Sequence, residues 1–175
     1  IPADISSAAF FLVGAAIAPG SDATLTDVGI NPTRIGVINI LQQMGARIDI
    51  LNKRMFGGEP VADLRVRAGM LKGIDIPIEQ VPLAIDEFPA LFIAAACAEG
   101  RTVLTGAEEL RVKESDRIQV MADGLRRLGV MAEPTPDGIV IEGKGVAGAK
   151  GTDLKSVPNG ATSVPEHQAV FSGGE

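Results

Sequence analysis

At 175 residues the chain is long enough for one sizeable core, or for two small units that share one. Its net charge of −6 excludes non-specific binding to nucleic acid or other polyanions, which needs a positive field, but leaves room for a local cationic pocket. A single cysteine, Cys97, rules out an intrachain disulfide and offers no metal-ligand spacing, so the chain reads as a cytoplasmic protein.

The N-terminal "IPADISS" has no Met and no basic leader region, and is expected to be cut from something longer. A helix follows at about Ser7–Ala18. Its run "AAFFLVGAAIA" is well short of the roughly 18–20 apolar residues of a membrane span, so no membrane partner is expected. Because it is apolar on all sides, it is expected to be buried all round. The β-branched "ATLTDV" predicts a short strand. "RIGVINILQQMGA" then predicts a second helix, closed by Gly45 at positive φ. Gly57-Gly58 is a turn, and "ADLRVRAG" a strand with Leu64 and Val66 on one face and Arg65 and Arg67 on the other.

The chain then repeats itself. "LFIAAACAEGRTVLT" lines up with "FLVGAAIAPGSDATLT", and "RIQVMADGLRRLGVMAE" with "RIGVINILQQMGARIDI". The second copy predicts an enclosed helix at Pro89–Ala98 carrying Cys97 as a small core residue, and a strand "RTVLTG". An amphipathic helix follows, with Ile118, Met121, Leu125 and Leu128 on one face and Asp123, Arg126 and Arg127 on the other. Gly129 caps it and "GIVIEG" closes the unit. The expected division is a first unit over 1–80, a second over 81–145, and a Gly/Ser/Pro-rich, loop-like tail over 146–175 with at most a brief strand at Gln168–Phe171. The class is α/β, with one helix layer enclosed and another outside. His167, in the tail, is expected to face solvent, and Gly173-Gly174 to form a turn.

Two places carry candidate chemistry. In "LRVKESDR" (Leu110–Arg117) three cations and three acids or hydroxyls crowd together. Ser115 or Asp116 would cap a helix there, and Asp116 with Gln119 fits a capping box, so a solvated helix start is the plainer reading. Against it, Lys113 and Arg117 have the wrong sign for a helix N-terminus, which already attracts anions through its unpaired N–H groups. A bound phosphate or carboxylate would account for them. The other place is "IDEFP", where Asp86 and Glu87 precede Pro89 in the first turn of a helix. Asp86 could cap that helix, or stand at the rim of a site as a proton acceptor. Asp4 occupies the matching place in the first unit, which favours a structural role for at least one of the pair.

The segments "DISSAAFFLVGAAIAPG", "GINPTRIGVINILQQMGA", "LAIDEFPALFIAAACAEG" and "GAEELRVKESDRI" together resemble the 5-enolpyruvylshikimate-3-phosphate synthases over about Pro2–Gly143. The UDP-N-acetylglucosamine enolpyruvyl transferases share the repeated architecture without the heptad and are the alternative, as is a non-catalytic module of the same fold. The resemblance implies an inside-out α/β fold of repeated βαβαββ units, two of which are present, in an incomplete lobe. It implies transfer of an enolpyruvyl group from phosphoenolpyruvate to the 5-hydroxyl of shikimate 3-phosphate, on the route to chorismate and the aromatic amino acids, with no metal or organic cofactor. Asp86 would be the proton acceptor, Lys113 a contact for shikimate 3-phosphate, Glu114 a proton shuttle beside the phosphoenolpyruvate carbons, and Arg117 a phosphoenolpyruvate ligand. The family's asparagine near the substrate is Glu109 here. Its other lobe and its "DHRIA" motif are not in the chain, so the remaining lobe is the expected partner and the chain alone is expected to be inactive.

Overall fold

Apolar faces decide the layering. In the computed structural model, which describes residues 2–148, six strands form two antiparallel sheets, each with the last strand of its half in the centre. The first half comprises α1 (Ile5–Ile17), β1 (Asp22–Gly29), α2 (Gly36–Gln43), β2 (Arg47–Phe56) and β3 (Glu59–Arg67), with strand order β1-β3-β2. The second comprises α3 (Phe88–Cys97), β4 (Glu99–Leu104), α4 (Arg117–Arg127), β5 (Met131–Thr135) and β6 (Gly138–Lys144), with order β4-β6-β5. A short helix, α5 (Gly145–Gly148), follows. Extended residues ahead of the first and third helices bridge in parallel to the next strand, Ala3 to Val28, and Lys72 and Asp75 to Glu99 and Val103. This supplies the leading strand of the βαβαββ pattern. Most of the tail reading, including Gln168–Phe171, His167 and Gly173-Gly174, lies outside the described residues.

α1 and α3 pack on each other between the two sheets, which is the inside-out α/β arrangement expected from the resemblance. α1 packs on β1, β3 and α3, while α3 packs on β6, α2 and α4. Alternation along β3 buries Leu64 and Val66 completely and leaves Arg65 outside, where it pairs with Asp22. The rings of Phe88 and Phe92 sit 5.9 Å apart within the core. Each such side chain contributes about 1.5–3 kcal/mol on burial. Gly45 and Gly129 have φ of +98° and +78°, as their place after a helix requires. Gly57 and Gly58, both at positive φ, make the two-residue turn between β2 and β3.

Three expectations are corrected. α1 is not buried all round: Phe10 and Phe11 are each about two-thirds exposed, side by side on its outer face. Leu128 does not continue the apolar stripe of α4, because the helix stops at Arg127 and Leu128 turns outward as its C-cap. Cys97 is only partly enclosed, although its burial pushes the thiol pKa up.

The outer face of the first sheet holds a buckle that the sequence did not suggest. β1 and β2 both slip register opposite β3, and Asp27 and Asn52 adopt left-handed backbone at φ +57° and +50°. Asp63 serves both irregularities, accepting from the Asp27 N–H (3.0 Å), the Asn52 amide (2.8 Å) and Arg54 (3.0 Å). The Asn52 amide first, then the Asp27 N–H and Arg54, hold its pKa down at about 2. A lowered native pKa means stability that is complete above the ordinary carboxylate range and is lost as pH falls toward 2. Urea unfolding of Asp63→Ala is therefore expected to show a lower midpoint than wild type at about pH 5, with the gap closing toward about pH 2. Equal midpoints throughout would show that the buckle contributes nothing.

Candidate anion-binding rim

Asp86 and Glu87 are neighbours in a single 3-10 turn, Ile85–Glu87, that leads into α3. Pro89 in the first helical turn needs no partner for a donor it lacks. Neither acid caps the helix, which corrects the capping alternative: Glu87 occupies the N-cap position without a side-chain hydrogen bond to it. The two side chains diverge instead. Glu87 is buried at 5% exposure and accepts from the Ser6 hydroxyl at 2.5 Å. Arg34 donates to the same hydroxyl at 2.9 Å and pairs with Asp4 at 3.1 Å, while Asp4 caps α1 through the Ser7 N–H. The matching acids thus play different parts, since Asp4 caps its helix and Glu87 ties the start of α3 to α1.

Asp86 points outward and meets the charged heptad. Its Oδ1 lies 3.5 Å from Lys113 Nζ and 3.6 Å from an Arg117 guanidinium nitrogen. The cations come from the start of α4 and the loop ahead of it. Lys113 rides on the loop after a 3-10 turn, Glu108–Arg111, and Arg117 is the first residue of α4. Asp116 caps that helix, accepting from the Gln119 N–H at 3.0 Å. That contact first, then Arg111, lowers its pKa. Only half of the capping box forms, because the Gln119 amide turns to Asp123 at 3.0 Å.

Lys113 also pairs with Glu109 at 2.8 Å. Its ammonium pKa is raised, chiefly by the Glu109 hydrogen bond and then by Asp86. Glu109 was not among the expected contacts of Lys113, yet its spacing of four residues could have flagged it. Arg111 is the other residue whose role was missed: it pairs with Asp116 rather than joining the cations around Asp86. Glu114 is exposed and makes no side-chain hydrogen bond or ion pair among the described residues. The structure therefore brings Asp86, Lys113 and Arg117 together, with Glu114 one residue from Lys113.

The cluster is an open rim. Two cavities, of about 610 and 630 Å³, lie elsewhere: one between the end of α4 and β5, the other at the C-terminal ends of α1 and α3. The side chains of Lys113, Arg117 and Asp86 are 28%, 33% and 53% exposed, so a solute can reach all of them. An ammonium and a planar guanidinium beside one carboxylate can hold an anion and accept a proton from a neighbouring hydroxyl.

Comparison with known proteins gives the same direction. A family model described as EPSP synthase (3-phosphoshikimate 1-carboxyvinyltransferase) matches residues 1–158. The 3-phosphoshikimate 1-carboxyvinyltransferase of Methylococcus capsulatus is 74% identical over 143 residues, which are 82% of this chain and 33% of that protein. That of Nitrosococcus oceani is 69% identical over 150 residues, 86% of this chain and 34% of the relative. A solved EPSP synthase from Acinetobacter baumannii superimposes with a TM-score of 0.82 at 69% identity, over 83% of this chain and 33% of that structure. The chain spans about a third of the length of the curated relatives it matches.

The Lys113–Glu109 pair is open to direct test. Glu109→Gln removes the main support of the raised ammonium pKa and is expected to speed acetylation of Lys113 at about pH 9, read by mass spectrometry. An unchanged rate would contradict the pairing.

Proposed function

The chain belongs to the EPSP synthase family, and on that basis we propose that it supplies part of the active site for enolpyruvyl transfer from phosphoenolpyruvate to shikimate 3-phosphate. The observation that carries this reading is the convergence of Lys113 and Arg117 on Asp86 within 3.6 Å. Both substrates are anions that carry phosphate and carboxylate, and the reaction needs a proton taken from a hydroxyl. Lys113 then contacts shikimate 3-phosphate, and the Arg117 fork takes a carboxylate or phosphate of phosphoenolpyruvate. Asp86 accepts the proton of the 5-hydroxyl as its oxygen bonds to C2 of phosphoenolpyruvate. Glu114 gives a proton to the methylene carbon to form a tetrahedral intermediate. It recovers one as the bond between C2 and the phosphate oxygen breaks and the enol ether forms, and the proton held by Asp86 leaves with the phosphate, which returns both carboxyl groups to their starting states.

The partner in this reading is the remaining lobe of the parent enzyme, which closes over the rim from the other side. Within the chain, residues 1–80 and 81–145 are successive repeats. The apolar patch of Phe10 and Phe11 supports such an arrangement, since exposed aromatic pairs of this kind mark a surface that another element covers. Neither substrate calls for a metal or organic cofactor in this chemistry. The protein works in the cytoplasm, a reading supported by its single cysteine.

Phosphate release from the two substrates tests the proposal in the full-length protein that contains this chain. Each of Lys113→Ala and Arg117→Ala removes a charge-assisted contact worth about 1.5–3 kcal/mol and is expected to lower kcat/KM about 10- to 100-fold. Asp86→Asn is expected to depress kcat. The 175-residue chain by itself is expected to release little or no phosphate. Wild-type turnover in the variants, or by the isolated chain, would overturn the reading.

A further inference from the structure

The loop that bears Lys113 and Glu114 has little to hold it. Leu110 before it and Ile118 after it are fully buried, but nothing apolar between them is: Val112, its one aliphatic residue, is 81% exposed. The contacts around it are polar: Lys113 pairs with Glu109 and Asp86, and the turn between β5 and β6 holds the segment ahead of the 3-10 turn. Asp137 accepts from the Gly106 N–H through its carboxylate at 2.9 Å and from the Ala107 N–H through its carbonyl at 2.7 Å. Arg111 ties the loop at both of its ends. Its Nε donates to the Thr135 carbonyl at 3.1 Å, one terminal nitrogen donates to the same oxygen, and the other reaches Asp116 Oδ2 at 2.6 Å.

All three guanidinium nitrogens are thus engaged by protein acceptors on both sides of the loop, and the side chain is only a quarter exposed. One plane joins the end of β5 to the N-cap of α4, and the loop spans the interval between. A lysine has the charge but not the fork, and cannot reach both acceptors at once.

We propose that Arg111 is a positioning residue: it locks Val112–Ser115 against the β5–β6 turn so that Lys113 and Arg117 face Asp86, and it does not itself touch substrate. This rests on the anion-binding role given to the rim above. It separates the three cations of the heptad into one strut and two ligands.

The test uses Arg111→Lys in the full-length protein, with two readouts. Amide hydrogen exchange is expected to accelerate about tenfold or more at Val112–Ser115 while β4, β6 and the second half of α4 keep their protection. The dissociation constant for shikimate 3-phosphate is expected to rise about 10- to 100-fold, the effect of losing the charge-assisted contact made by Lys113. Exchange unchanged at the loop, or faster equally throughout the molecule, would overturn the proposal, as would loop release with binding within about twofold of wild type. If wild type itself binds no shikimate 3-phosphate, the functional reading fails, and the local exchange pattern still decides whether Arg111 is the strut. Should Arg111→Lys not fold, Asp116→Asn removes the charge facing the guanidinium while retaining a capping side chain. It is held to the same local signature.

Discussion

The packing of α3 against α4 and β6 is the constraint on which the rim depends. Phe88, Leu91 and Phe92 from α3 and Ile118 and Leu125 from α4 are all but inaccessible, and their burial fixes where the two helices begin. Asp86 and Arg117 each stand at one of those beginnings. The ion pairs between them do not hold the fold together: such exposed pairs contribute about 0–1 kcal/mol, against about 1.5–3 kcal/mol for each buried aliphatic or aromatic side chain. Packing sets the geometry, and the charges ride on it. For the same reason the two cations can exchange Asp86 and Glu109 for an incoming anion at small cost.

Within the heptad each charge plays a separate part. Asp116 suits the helix N-terminus in sign and in hydrogen bonding, and Arg117, next to it, has the opposite sign to the one a helix start favours. Asp86, from outside the helix, offsets that mismatch. Arg111 commits its fork to the Thr135 carbonyl and Asp116, away from the rim. Lys113, between Glu109 and Asp86, is held in its charged form by both. Two cations and two carboxylates leave the cluster near neutral, so it presents no net positive field to polyanions at large.

Much of this was legible in the residues. The duplicated helices, the glycines after α2 and α4 and the alternation of β3 follow from periodicity and turn chemistry, whereas the joining of Asp86 to the cationic heptad came only from the family resemblance. What was hidden has physical reasons. An all-apolar helix shows that every face is fit for burial, not which faces a neighbour covers, so the exposure of Phe10 and Phe11 could not be read from α1 alone. Asp86 and Glu87 are chemically alike in sequence, and only the 3-10 turn sends one outward and the other to Ser6. Arg111 looked like its two companions because its acceptors, Thr135 and Asp116, lie on separate elements. The Asp63 buckle required register slips in two strands that no single-strand pattern reveals.

The most direct measurement is the coupling free energy between Asp86 and Lys113, 3.5 Å apart, for shikimate 3-phosphate binding, from Asp86→Ala, Lys113→Ala and the double variant in the full-length protein. Side chains that share one ligand at a common rim are expected to be non-additive by about 0.5–3 kcal/mol. Additivity to within about 0.3 kcal/mol would mean that the two act on the ligand independently, and would contradict the rim as a single site.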